Sequence, residues 1–166
     1  MLGLLLALSA APILAQDLPG RNACHEAVVW IDVTRNLVKD GHVIGTVPTK
    51  HELACNGDVV WTDINRNIYK NERHVGVGAI EFKATRWTGD AIWKDVVGTL
   101  WRNERFLGNA VQRWELARDS GDVAWTDVNR SIYKNDKPLG VNATTFQILD
   151  DGRVVWDDVL GFRHID

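Results

Sequence analysis

Short apolar runs, each closed by Gly, Asn or Asp, follow one another along the chain from residue 26 onward, and the runs repeat. Trp30, Trp61, Trp93, Trp125 and Trp156 are separated by 31, 32, 32 and 31 residues. An aspartate follows each two positions later: Asp32, Asp63, Asp95, Asp127 and Asp158. An apolar pair precedes each Trp. Val38, Tyr69, Trp101 and Tyr133 stand eight residues after it, and Gly45, Gly76, Gly108 and Gly140 fifteen after it. Phe82, Trp114 and Phe146 stand twenty-one after it, with His51 in that place in the first copy.

These are strand and turn signals. VVWTD is β-branched and aromatic, bounded by Gly-Asp before and Asp or Asn after, and NIYK is a second short run. Asp40-Gly41 between apolar residues is a strong hairpin turn, and Asn71-Glu72, Asn103-Glu104 and Asn135-Asp136 take its place later. A third strand ends at the recurrent glycine, and a fourth covers AIEFKAT, VQRWELA or TTFQILD. No sustained helical period follows residue 15. A period of this size marks a repeat architecture in which no unit buries its apolar face alone. Four short antiparallel strands per unit predict an all-β, five-bladed β-propeller of four-stranded blades, each about 31–32 residues. The alternative is a β-solenoid of the same repeats.

The repeats run over 26–56, 57–88, 89–120, 121–151 and 152–166, and the last breaks off after its first strand. Closure of a propeller would then need residues 16–25 to complete the fifth blade. A second chain could complete it instead, so both a monomer and a homodimer fit the pattern. In either blade arrangement the repeat tryptophans read as core, since indole supplies large apolar area.

The first fifteen residues, MLGLLLALSAAPILA, are apolar, uncharged and too few to span a bilayer. They read as a secretory signal peptide, residues 1–15, ahead of one β-repeat domain over 16–166. That places the protein outside the cell or in the periplasm, with no membrane span. Cys24 and Cys55 lie one repeat apart, and in an oxidising compartment they are expected to form a disulfide. The net charge of −3 gives no general attraction to nucleic acid or to an anionic membrane.

Candidate chemistry is confined to turns. Arg35, Arg66 and Arg130 share one position, with Gly98 and Gly161 in the other two copies, and such guanidiniums can hold a carboxylate or phosphate. Lys70-Asn71, Arg102-Asn103 and Lys134-Asn135 recur in the second hairpin, where Asn suits a positive-φ turn and the pair also suits a sugar. Trp87 alone falls out of phase and could stack on a sugar. Asp63-Ile64-Asn65-Arg66-Asn67 resembles the opening of a calcium loop. It lacks the glycine and bidentate acid at their offsets, so an Asx-turn is the better reading. The histidines have no metal-ligand spacing, no catalytic motif is present, and neither a metal nor a cofactor is expected.

The phrase hydrophobic-Tyr-Lys-Asn, a turn, then Leu/Val-Gly resembles small-blade β-propeller lectins of the tachylectin type over residues 26–158. That resemblance implies multivalent glycan binding, one weak site per blade. The expectation is therefore a secreted, non-catalytic binding module for carbohydrate, or alternatively a scaffold for a surface protein. A lectin should show similar polar–aromatic pockets in most repeats. A scaffold should gather exposed apolar residues on one face. An enzyme should show one deep pocket.

Overall fold

The computed structural model describes residues 24–166. The signal peptide expected at 1–15, and residues 16–23 of the expected closing segment, lie outside the described residues. The described chain is all-β, with five antiparallel sheets. The first holds β1 (Val29–Ile31), β2 (Asn36–Lys39) and β3 (His42–Thr46). The second holds β4 (Pro48–Leu53), β5 (Val59–Asp63), β6 (Ile68–Lys70) and β7 (Arg73–Gly76). The third holds β8 (Ala79–Ala84), β9 (Ala91–Asp95), β10 (Leu100–Arg102) and β11 (Arg105–Gly108). The fourth holds β12 (Val111–Leu116), β13 (Val123–Asp127), β14 (Ile132–Lys134) and β15 (Lys137–Gly140). The fifth holds β16 (Ala143–Ile148), β17 (Val154–Asp158) and β18 (Arg163–Ile165).

Each sheet is a meander of strands consecutive in sequence, but it is offset from the repeat by one strand. The strand carrying Phe82 pairs with the Trp93 strand that follows it, and Trp114 and Phe146 pair likewise with Trp125 and Trp156. The tight turns before each Trp strand join these two. The chain crosses to the next sheet after the recurrent glycine instead.

The apolar pair before each Trp has a physical meaning here. Successive strand residues point to opposite faces, so Val60 packs toward the third sheet with Ile68 and Val75, while Val59 and Trp61 pack toward the first with Leu37 and Ile44. Both faces of the middle sheets are thereby buried. Four hydrophobic cores result, one between each consecutive pair of sheets.

The repeat glycine and the repeat Trp are two halves of one contact. A methyl built on Gly45, Gly76 or Gly108 would fall inside the ring of the Trp of the next sheet, Trp61, Trp93 or Trp125. On its other side each of these rings stacks on the aromatic eight residues later. Trp61 lies 4.3 Å from Tyr69, Trp93 5.6 Å from Trp101 and Trp125 4.0 Å from Tyr133, centroid to centroid. The indole Nε1 of each donates to the carbonyl of Asn71, Asn103 or Asn135 at 2.7–2.8 Å. At about 25 cal/mol per Å², covering an indole of roughly 150–250 Å² contributes about 4–6 kcal/mol before entropy is counted.

A second tie runs between equivalent residues of successive repeats. His25 N–H donates to the Cys55 carbonyl, Cys55 N–H to Arg86, and Arg86 N–H to Arg118. The expected Cys24–Cys55 disulfide is present on this ladder, with Cα atoms 4.1 Å apart. Cys24 and His25, from the segment expected to complete the fifth blade, thus sit beside the second sheet.

The outer sheets differ from the middle ones. Among the described residues no core or strand pairing joins the fifth sheet to the first. Trp30 is 42% exposed, against 3–8% for the other four repeat tryptophans. On the far face of the fifth sheet, Arg163 stands where Leu37, Ile68, Leu100 and Ile132 are fully buried, and it pairs with Asp157 at 2.9 Å. A polar outer face is what a terminal repeat needs for solubility.

Substituting Gly76 by Ala should lower stability by about 3 kcal/mol, the upper end of the overpacking range, because an added methyl would fall on the Trp93 ring. Gly41→Ala, at an open turn with φ +84°, should cost only about 1 kcal/mol of backbone strain. Urea unfolding of the two variants checks the order; equal losses would contradict the glycine–indole contact.

Candidate functional site

The turn after each Trp strand is built by the repeat aspartate. Asp63 Oδ1 accepts the amides of Asn65 and Asn67, both at 2.9 Å, and Oδ2 accepts from Asn67 Nδ2 and, at 3.4 Å, from the Tyr69 hydroxyl. Asp32, Asp95, Asp127 and Asp158 bind the amides two and four residues on in the same way. Oδ2 of Asp95 accepts the Trp101 indole, and that of Asp158 faces His164 Nε2, both at 3.0 Å. The carboxylates are thus spent on the turn and its neighbouring ring. The Asx-turn reading accounts for them without a cation, and no group of three His, Cys, Asp or Glu suited to a metal occurs among the described residues.

This turn places Arg35, Arg66 and Arg130 at φ 64, 63 and 62°, with Gly98 at 84° and Gly161 at 83°. The left-handed conformation explains the glycines that replace arginine in two copies. Four of these residues tie their turn to the next sheet: the carbonyls of Arg35, Arg66, Gly98 and Arg130 accept from Val47, Ala79, Val111 and Ala143 N–H. The three guanidiniums are exposed and make no ion pair or hydrogen bond with another described residue. They share an edge but are not gathered into one pocket.

The second-hairpin residues are placed differently. Asn71, Asn103 and Asn135 sit at φ 50–53°. Their Oδ1 atoms accept the amides of Val59, Ala91 and Val123, and their Nδ2 groups donate to Asp58, Asp90 and Asp122. Lys70 bridges Asp58 at 3.1 Å and the Thr88 carbonyl at 2.9 Å, and Lys134 reaches Asp166 at 3.0 Å. Arg102 donates to the Gly121 carbonyl and to Asn135 Oδ1. Each basic–Asn pair therefore has a structural role within and between sheets, although Arg102 Nε is buried without a partner. A cleft of about 590 Å³ beside them is lined by Lys70, Asn71, Arg73, Asn103 and Glu104. Trp87 lies half-buried after β8 with Arg86 over its ring at 4.9 Å; its indole nitrogen is buried without a partner.

One set of residues escaped the sequence reading. Val33, Ile64, Val96, Val128 and Val159, each three after a repeat Trp, are 101, 66, 57, 64 and 48% exposed. All five occupy the Asx-turn tip, so every repeat presents one β-branched apolar side chain on the same edge. Val77, Val97, Val141 and Leu160 are exposed beside them. The signal was in the sequence as an apolar residue directly after each turn aspartate, where a turn favours polar residues. Two grooves open next to this edge, of about 480 and 450 Å³. In one, Lys50 Nζ lies 4.4 Å above the Phe82 ring near Arg66; in the other, the Arg113 guanidinium lies 4.7 Å above Phe146 near Arg130.

No protein-family model and no curated protein matches this chain.

The turn carboxylates set an acid limit. For Asp63 and Asp95 burial acts to raise the pKa, but hydrogen bonds from Asn67 and from Trp101, respectively, together with the turn amides, outweigh it and hold both below the usual value. Asp32 and Asp158 are also lowered, chiefly by the Asn36 amide and by His164. A depressed folded pKa gives stability that is present above the unfolded value, about 3.9, and is lost as pH falls through the folded one. Thermal stability should therefore be flat near neutrality and fall below about pH 4. Asp95→Asn should be less stable at pH 7 and lose less on acidification; a wild-type-like acid profile in that variant would contradict the turn's role.

Proposed function

We propose that this protein is an exported, non-catalytic binding module whose working surface is the turn edge. The observation that carries this reading is the row Val33, Ile64, Val96, Val128 and Val159, exposed in every repeat. The turns do not need these side chains, because Asp and the left-handed residue already form them. Large contiguous apolar exposure marks an interaction surface, and gathering it on one edge is what distinguishes a scaffold from a lectin or an enzyme.

The fold is read, with it, as an open stack of propeller-like sheets, closer to the solenoid alternative than to a closed ring. The exposed Trp30 and the polar Arg163 face support this. The ion pair between Arg118 and Glu52 at 3.0 Å, which links residues two repeats apart, supports sheets that converge at that end like the blades of an incomplete propeller, since sheets stacked in parallel would lie about 10 Å apart per step. Export is supported by the apolar leader and by the disulfide, whose loop closure is worth about 3–4 kcal/mol on chain-entropy grounds.

Carbohydrate binding is kept as a second reading on one observation, the two cation–aromatic grooves near Arg66 and Arg130. Its other candidates, the basic–Asn pairs, are engaged within the fold, and the repeat aromatics are mostly buried.

A photo-reactive residue placed at Val128 or Ile64 in the living host should give discrete adducts, macromolecular or lipid, detectable by mass spectrometry. The same residue at Glu72, on the far hairpin, should give none. Equal labelling at all three sites, or none at the edge, would overturn the reading.

A further inference from the structure

We infer that the seam between the fourth and fifth sheets is a binding site for a small neutral molecule carrying a ring and a carbonyl or hydroxyl oxygen. This seam departs from the other three at the repeat glycine. A methyl added at Gly45, Gly76 or Gly108 would fall inside the facing indole, whereas at Gly140 it would stand 3.3 Å from Trp156. Ile44, Val75 and Leu107 are buried, but Leu139 in the same position is only half-buried. A cavity of about 300 Å³ opens there, with Leu139, Val141, Val159 and Leu160 as its apolar wall. An apolar cavity of about 150 Å³ takes one benzene ring, so a ring with a polar substituent fits.

The polar groups of this cavity are the ones that break the repeat. Trp156 is 8% exposed, yet its Nε1 donates to no described residue, unlike the Nε1 of Trp61, Trp93 and Trp125. It is among the ring atoms nearest Gly140, which also lines the cavity. A nearly buried donor without an acceptor is unfavourable, so a ligand oxygen placed there gains a hydrogen bond the protein does not make. The left-handed position two after the glycine holds Val47, Gly78 and Ala110 in the earlier repeats and Asn142 here, at φ 60°. The ring stacked on the tryptophan is His164, 5.0 Å away centroid to centroid, in place of Tyr69, Trp101 and Tyr133. His164 Nε2 faces Asp158 at 3.0 Å, which leaves Nδ1 as the free ring nitrogen. Asn142 and His164 both line the cavity.

Charge selects a neutral ligand. Asp158 is the one acid lining the cavity, and no lysine or arginine lines it. The carboxylate is already engaged: Oδ1 accepts the Leu160 and Phe162 amides, and Oδ2 faces His164. An anion would meet Asp158 with no lysine or arginine to offset it, and a cation would find no free carboxylate oxygen. A sugar would leave hydroxyls unpaired against the apolar wall. The cavity shares Val159 and Leu160 with the turn edge, but it does not depend on a partner binding that edge.

Benzamide, benzoate and benzamidinium have one shape and three charges, and they test the site on the full chain labelled with nitrogen-15. Benzamide should move the Trp156 Nε1–H signal with a Kd roughly in the millimolar range, as suits so small a ligand, and leave those of Trp61, Trp93 and Trp125 in place. Benzoate and benzamidinium should bind about tenfold more weakly or worse, since each brings a charge with no partner. Glucose should move none of the four signals. His164→Tyr and Asn142→Ala introduce the side chains that Tyr133 and Ala110 carry at the same repeat positions, so the fold is kept. Each should weaken benzamide binding about fivefold, the loss of one hydrogen bond. No movement of the Trp156 signal up to the solubility limit of benzamide, or equal movement of all four indole signals, would overturn the inference. So would a charged analogue or glucose binding as tightly as benzamide, or unchanged benzamide binding in both variants. Cross-linking at Val128 and Ile64 reports on the turn edge and not on this cavity, so either can fail while the other stands.

Discussion

The structure depends on one contact repeated between sheets: an indole laid on a glycine. Gly45, Gly76 and Gly108 leave room for Trp61, Trp93 and Trp125, and any side chain in their place would occupy the ring's position. Gly140 meets Trp156 more loosely, yet an added methyl would still sit only 3.3 Å from the indole edge, a tight contact. The contact fixes the sheet spacing, and the Trp Nε1 bond to an Asn carbonyl fixes how the ring lies across its own hairpin. Ion pairs reinforce the same spacing at the outer strands, where Arg73 meets Glu104 at 2.6 Å and Arg105 meets Asp136. Exposed pairs of this kind add little individually; burial of the indole stabilises the stack more.

Stacking by such a contact has a consequence for the turns. Each Trp strand must end where the next sheet begins to pack, and the Asp–amide network ends it within five residues. The left-handed Arg or Gly then turns its carbonyl to the following sheet. The side chain of the tip residue between them takes no part in these bonds, although the Val96 and Val128 amides donate to the Gly78 and Ala110 carbonyls. An edge of freely chosen side chains is thereby built by the same elements that hold the stack together. Function on that edge can vary without disturbing the core.

Much of this was legible in the sequence. The strand positions, the Trp core, the disulfide between Cys24 and Cys55 and the Asx-turns all follow from local patterns: β-branched runs, Asp-Gly and Asn turns, and phase. What the sequence could not show is which strand pairs with which. The Phe82 strand reads as the end of its repeat, yet the short turn at Gly89 folds it onto the Trp93 strand. The meaning of the recurrent glycine was hidden for the same reason, since its partner lies in the next sheet. The shared turn position of Arg35, Arg66 and Arg130 was legible from their common phase. The bonds of Asn71, Asn103 and Asn135 could not be read from the sequence, because a turn Asn and a ligand Asn look alike until their partners are seen. The tip row was passed over because single exposed valines need no explanation; only their common phase does.

Each buried repeat tryptophan is covered by the sheet before it, and among the described residues no sheet precedes Trp30. Indole N–H exchange, followed residue by residue by NMR, tests this most directly. Trp61, Trp93 and Trp125 should exchange slowly, protected by burial and a carbonyl bond, while Trp30 exchanges at nearly the rate of an open indole. Protection of Trp30 equal to that of the other three would contradict an open stack.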